Sequence, residues 1–172
     1  LGWGEDSIKR EVTAGAIEIV AGVSRQRIGR ADYTLRLRLS ANSQPVAVAL
    51  IEAKAENSSP AQGLQQGKVY SSRLQVPFVF SSNGRQFVEY DVFTGLTSDP
   101  RPLGEFPTPE ALRSRYEAGK GFSLDSDSAR PLITPYAKGE GQRRYYQDAA
   151  IRAVLEKLAS GLNRALLTLA TG

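Results

Sequence analysis

Asp32 opens one stretch of alternating apolar residues, and Glu52-Ala53-Lys54 closes the next, with Glu52 following Asp32 by 20 residues. Side chains alternate along a strand, so Glu52 and Lys54 share one face while Ala53 takes the other. If the two stretches pair as a hairpin, Asp32 reaches that same face. Two carboxylates a few ångströms apart repel unless a hard cation lies between them, and Mg²⁺ favours such oxygen ligands while retaining several waters. A lysine beside them can hold one of those waters and help to deprotonate it. That set generates a hydroxide suited to attack on a phosphodiester. The competing reading is a turn aspartate and an ion pair at a strand end. Six apolar residues, Val46 to Ile51, run directly into Glu52, which implies partial burial, where an ion pair contributes little to stability.

The composition removes most other chemistries. The chain has 172 residues, 41% of them apolar, enough for the core of one domain or of a domain with an appendage and too many for intrinsic disorder. It has no Cys and no His, which excludes disulfides, thiol nucleophiles, zinc fingers, iron–sulfur ligation, catalytic triads and imidazole-bound metals. Catalysis must then use carboxylates, Lys, Tyr, Ser or Thr, and Ser7, Ser81 and Ser82 have no base partner to activate them. The 22 basic and 18 acidic residues leave a net charge of +4, carried mostly by the last third, which permits a polyanionic partner without requiring one. No run of about 20 apolar residues and no signal-peptide order occur, so no membrane span and a cytoplasmic location are expected. The lack of any Met and the apolar run from Leu166 to the end suggest an excised piece of a longer protein.

The elements that must position the acidic residues follow from periodicity. Ser7–Val12 and Ile17–Val23 are β-prone. Tyr33–Leu39 alternates strictly, with Leu35, Leu37 and Leu39 on one face and Thr34, Arg36 and Arg38 on the other, as a half-buried strand does. Ala41–Pro45 reads as the hairpin loop into Val46–Ile51, a central strand covered on both faces. Ser58-Ser59-Pro60 signals a helix running to about Leu74. Val76–Ser81 is a further apolar strand, turned at Asn83-Gly84 into Phe87–Val92, with a second turn at Thr94-Gly95. Thr108-Pro109-Glu110 opens a helix to about Ala118. Residues 119–141, rich in Gly, Ser, Asp and Pro, read as a linker or surface strap. Tyr145–Ser160 is helical by its spacing of Ile151, Val154, Leu155 and Leu158, and Arg164–Ala170 reads as an apolar strand.

Gly29-Arg30-Ala31-Asp32-Tyr33, Ile51-Glu52-Ala53-Lys54, Gln66-Gly67-Lys68-Val69-Tyr70 and Val76-Pro77-Phe78-Val79-Phe80-Ser81-Ser82-Asn83-Gly84, in this order and spacing, resemble the N-terminal nuclease domain of the restriction (R) subunit of type I restriction enzymes. The resemblance continues through Phe106-Pro107-Thr108-Pro109 to Arg144-Tyr145-Tyr146-Gln147, which is similar to the entry of that subunit's translocase, and Leu166–Gly172 resembles the run into its first helicase motif. It implies an α/β fold of the PD-(D/E)xK nuclease type, a mixed sheet flanked by helices. Asp32 and Glu52 would then be metal ligands, the Ala53 backbone carbonyl would complete the metal site, and Lys54 would be the catalytic lysine. Gln66 and Tyr70 match the family's Q-x-x-x-Y element; at i and i+4 they share one helix face and could aim at substrate. Members of this fold commonly carry a further acidic residue on a helix ahead of the first strand, a place that this sequence does not include; Glu11 is the nearest candidate, against an expectation that it faces solvent.

The domain division that follows is a nuclease domain over 1–118, a linker or strap over 119–141, and an incomplete start of the ATP-dependent translocase over 142–172. Gln147 would read adenine only in the full-length motor, and ATP would serve only the full-length protein, because no phosphate-binding Gly-Lys-Thr loop lies in this chain. The resemblance implies Mg²⁺ as cofactor with Mn²⁺ as substitute, double-stranded DNA as substrate, and the methylation and specificity subunits of a restriction-modification complex as partners. Arg25, Arg27, Arg30, Arg36 and Arg38 could add a phosphate-contacting surface, against a plainly solvated strand face. Two rival readings stand beside this one: a non-catalytic nuclease-like module that binds DNA or couples partners, and the nuclease domain of a type III or other helicase-fused defence protein.

Overall fold

A computed structural model describes residues 2–20, 23–27, 29–135 and 144–168, with 16–20 and 23–27 as backbone only. A six-stranded sheet has the order β1-β4-β5-β6-β7-β8, formed by β1 (Ile8–Thr13), β4 (Arg30–Leu37), β5 (Val46–Ala53), β6 (Phe78–Ser82), β7 (Gln86–Asp91) and β8 (Arg101–Pro102). Between β1 and β4, β2 (Ala16–Val20) and β3 (Val23–Arg27) form a separate antiparallel hairpin, so the β-prone run expected over 17–23 is divided between two strands. All pairings in the large sheet are antiparallel except β5–β6, which run parallel. A parallel pair needs a crossover, and α1 (Leu64–Leu74) supplies it. The fold is thus α/β, a mixed sheet with α1 on one face and α2 (Pro109–Lys120) on the other, followed by the short α3 (Arg130–Ile133) and by α4 (Tyr145–Ala159).

Each face of the sheet carries its own apolar layer. Phe78, Phe80, Phe87, Phe106, Leu112, Tyr116 and Leu124 build one, with the Phe80 and Phe106 rings 4.6 Å apart. Ala31, Leu50, Leu64, Leu74, Val79 and Val88 build the other beneath α1. Strand β4 is therefore not half-buried. Thr34, expected on a solvent face, is buried because α1 covers that side, and Arg36 is half-buried with its guanidinium donating to the Asp6 carbonyl at 3.0 Å.

The signal at Ser59-Pro60 starts a turn, not the helix. Ala61 N–H donates to Ser59 Oγ at 3.3 Å, but α1 begins at Leu64, after Gly63. What sets the start is close packing. A Cβ on Gly63 would lie 2.6 Å from Lys54 Cε, 2.7 Å from Glu52 Cβ and 2.8 Å from Ser81 Oγ, while Gly63 N–H donates to Ser81 Oγ at 3.0 Å. By contrast α2 opens where its signal lies, with Thr108 Oγ1 accepting from Ala111 N–H at 3.2 Å and Pro109 in the first turn. The Asn83-Gly84 turn joins β6 to β7, with Gly84 at φ 86°.

Residues 122–133 pack onto the sheet's α2 side through Leu124, Ala129 and Leu132; residues 136–143, the rest of the segment expected as linker or strap, lie outside the described residues. Helix α4 is fastened to both layers. Arg152 donates to the Leu74 carbonyl at the end of α1, and Glu156 accepts from Tyr116 Oη at 2.7 Å and pairs with Lys120. The strand expected over 164–170 is absent across its described part, 164–168: no neighbouring strand pairs with it, and Leu166 is 93% exposed. Backbone strain appears in β1, where Glu11 holds φ 50°, a left-handed conformation costing a side-chain-bearing residue roughly 1 kcal/mol or more.

Candidate functional site

The register explains why the acidic residues meet. In the β4–β5 pairing Tyr33 faces Ile51, and one step further along the antiparallel pair sets Asp32 against Glu52. On the other side Glu52 lies beside Ser81 of β6. Glu52 is 1% exposed, under the first turn of α1, where Gly63 and Gly67 leave room for its side chain. Lys54, just past β5, brings Nζ to 3.6 Å from Glu52 Oε2. Asp32 Oδ2 accepts the Ala53 N–H at 2.8 Å, which ties the end of β5 to β4.

This environment is hostile to a second negative charge. Burial, then the nearby Asp32 carboxylate, push the Glu52 carboxyl up to about 7, against smaller opposing effects of Lys54 and of the Asp32 backbone N–H. Glu52 Oε1 is buried without a hydrogen-bond partner. An orphaned carboxylate oxygen of this kind costs free energy unless a donor or cation satisfies it. A divalent cation between Asp32 and Glu52 would satisfy the oxygen and reverse both causes of the raised pKa. Among the described residues no group of three or more acidic side chains could enclose an ion, so the donor set fits a hard cation that keeps much of its water, as Mg²⁺ does. Ala53 is placed here by its N–H.

Gln66 and Tyr70 stand together on α1, with Gln66 Nε2 donating to Tyr70 Oη at 3.1 Å. The Tyr70 ring lies against Gly29, where a Cβ would meet Tyr70 Cε1 at 2.8 Å, so this pair borders the strand that carries Asp32. Gln147 is not gathered into the site. It stands in the first turn of α4, where its side chain accepts the Arg144 N–H at 3.3 Å. Glu11 is exposed and pairs with Arg30 at 3.3 Å. Arg38 donates to the Ala41 carbonyl at 2.8 Å, and the side chains of Arg25 and Arg27 lie outside the described residues.

Three contributors had no chemical signal of their own. Ser81 seats the start of α1 through the bond to Gly63, and Gly67 lets the helix approach, since a Cβ there would lie 2.6 Å from Val79 Cγ1. Asn83, read from the sequence as a turn residue and as part of the run Val76–Gly84, is buried and joins two loops. Its Nδ2 donates to the Glu56 and Ser58 carbonyls at 3.4 and 2.9 Å, and its Oδ1 accepts from Arg85 and Gln86 N–H. Asn83 thereby holds the loop that follows Lys54. Behind β5, on the face opposite Glu52, Trp3, Tyr33, Ile51 and Phe106 line a groove of about 720 Å³ that Lys54 and Asn83 also border.

No family model matches the sequence. The type I restriction enzyme EcoAI endonuclease subunit of Escherichia coli is 37% identical over 133 residues, which are 74% of this chain and 16% of that protein. A solved fragment described as an HsdR subunit of a type I restriction enzyme from Vibrio vulnificus YJ016 superposes with a TM-score of 0.73 at 32% identity, covering 99% of this chain and 32% of that one. The chain therefore spans about a sixth of the curated relative's length and a third of the solved fragment's. By sequence and by fold together, the chain is homologous to the endonuclease (HsdR) subunit of type I restriction enzymes over part of that subunit's length.

Proposed function

We propose that this chain carries the DNA-cleaving centre of a type I restriction endonuclease subunit, hydrolysing phosphodiester bonds with Mg²⁺ and accepting Mn²⁺ in its place. The observation that carries the reading is Glu52: a fully buried carboxylate, beside a second carboxylate, with one oxygen unsatisfied and a lysine 3.6 Å from the other. A structural ion pair has no need of an orphaned oxygen. When bound, the cation supplies charge neutralisation at the phosphate and an acidified water.

The side chains of the chain do the rest. Asp32 and Glu52 hold the ion, and the Ala53 carbonyl is the remaining protein ligand. Asp32 is itself fixed by the Ala53 N–H, so the two strand ends keep a constant separation. Lys54 Nζ, held near Glu52 Oε2, orients the attacking water and takes part in removing its proton. Gln66 and Tyr70, joined by their hydrogen bond, orient the phosphodiester from the α1 side. DNA is the substrate, and methylation and specificity subunits supply site recognition. In the complete subunit, acting in the cytoplasm, ATP powers translocation and Gln147 contacts its adenine.

The test is cleavage of circular plasmid DNA by the full-length subunit assembled with its partners. Glu52→Ala and Lys54→Ala should abolish cutting while ATP turnover and folding persist. Variants that cut at the parental rate but melt much earlier would reduce the constellation to a structural pair.

A further inference from the structure

Residues 55–62 join the two halves of the candidate site. They follow Lys54 and lead into Gly63, whose close packing seats the helix that carries Gln66 and Tyr70. The ends of this loop meet, since a Cβ on Gly63 would lie 2.6 Å from Lys54 Cε. A compact loop with touching ends holds its shape through side chains packed inside it. Within 55–62, however, Pro60 alone is buried. The loop's own hydrogen bonds close short turns, Ser58 N–H to the Ala55 carbonyl at 2.9 Å and Gln62 N–H to the Ser59 carbonyl at 3.1 Å, and neither fixes it against the sheet.

Asn83 supplies that anchor. Its Oδ1 accepts from Arg85 N–H at 3.1 Å and Gln86 N–H at 3.0 Å, which locks the side chain into the β6–β7 turn. The locked amide then points Nδ2 at the loop, where it donates to the Glu56 carbonyl at 3.4 Å and the Ser58 carbonyl at 2.9 Å. The turn needs only the oxygen, which Ser or Asp would provide as well; the donors are what an amide adds. Among the described residues the other side-chain tie from this turn to the loop is the Arg85–Glu56 ion pair, both of whose side chains are mostly exposed, so it contributes little. Lys54 is referenced to the same place, its N–H donating to the carbonyl of Ser82, the neighbour of Asn83, at 2.8 Å.

We propose that Asn83 is a positioning residue for cleavage: by holding the Glu56 and Ser58 carbonyls it keeps Lys54 Nζ and the start of α1 in fixed relation over the site. The inference rests on the cleavage reading above. Asp32 and Glu52 sit in paired strands and do not depend on the loop, so loosening it disturbs the lysine and the α1 side chains while leaving the two carboxylates in place.

The experiment uses the full-length subunit assembled with its partners on circular DNA, following single-turnover cleavage against Mg²⁺ concentration, with ATP turnover and melting temperature in parallel. Asn83→Ser and Asn83→Asp both keep an oxygen for the turn and lose the donors to the loop; agreement between a neutral and a charged variant excludes a charge effect. Each should slow cleavage at saturating Mg²⁺ by about tenfold or more, as a displaced catalytic group does, while the Mg²⁺ concentration for half-maximal rate and the ATP turnover stay at parental values. Thr108→Ala, which weakens α2 away from the site, controls for lost stability and should cut at the parental rate. Parental cleavage by the Asn83 variants, with Glu52→Ala inactive, overturns the positioning role. Variants that fail to fold, or that need more Mg²⁺ in step with a lower melting temperature, reduce Asn83 to a structural residue and overturn it too. Cutting by Glu52→Ala would instead overturn the cleavage reading itself.

Discussion

Replacing Glu52 by Gln should stabilise the metal-free protein at alkaline pH, although it deletes one partner of an ion pair. The Glu52 carboxyl titrates at about 7 in the fold and at 4.5 when free, so the native state binds a proton that the unfolded chain has lost between those values. Stability therefore falls as pH rises from about 4.5 to about 7 and levels off above, the opposite of a salt-bridged carboxylate with a depressed pKa. At about 1.4 kcal/mol per tenfold change in proton affinity, the ionised side chain costs the fold on the order of 3 kcal/mol at pH 8. Glutamine keeps the shape and removes that cost. The attraction of Lys54 already lies within that value, so its loss subtracts nothing further. The net expectation is a gain of roughly 3 kcal/mol at pH 8 and little at pH 4.5. Urea denaturation in EDTA at pH 4.5, 6, 7 and 8 measures it, and Mg²⁺ should then stabilise the parent at pH 8 but not the Gln variant. A Gln variant that follows the parental pH profile at a constant offset, or that is weaker at pH 8, would refute the reasoning.

Other perturbations separate packing from chemistry. Gly67→Ala should cost about 1 to 3 kcal/mol by denaturation, because its Cβ would meet Val79 Cγ1 at 2.6 Å and Leu50 Cδ1 at 3.2 Å and lift α1 from the sheet. Cleavage should fall with it, since α1 carries Gln66 and Tyr70. Thr108→Ala removes the cap of α2 and should cost about 1 kcal/mol in the same assay while leaving cleavage unchanged. Tyr116→Phe withdraws the hydroxyl donated to buried Glu156 and should cost about 1 to 3 kcal/mol, read as a lower urea midpoint.

The sequence revealed the site's chemistry more readily than its scaffold. Asp32, Glu52 and Lys54 could be grouped because strand periodicity and the apolar run into Glu52 are local properties, and the hairpin that brings Asp32 to Glu52 follows from adjacent strands and a short loop. The start of α1 was not legible, because Gly63 is chosen by contacts with Lys54, Glu52 and Ser81, residues distant in sequence. Thr34 was misplaced for the same reason: alternation shows which residues share a face but not whether a helix covers it. The strand expected over 164–170 illustrates the converse: across its described part, 164–168, an apolar run whose composition suits a strand has no partner to complete its ladder. Asn83 was visible as a turn residue, yet its hold on the loop after Lys54 depends on carbonyls more than twenty residues away.

The central claim is that Asp32 and Glu52 together hold a divalent cation. Calorimetric titration of the folded chain with Mg²⁺ at pH 8, comparing the parent with Asp32→Ala, tests it directly. The account predicts saturable binding in the parent, with proton release as Glu52 ionises, and its loss in the variant. Binding that is unchanged in Asp32→Ala would contradict it.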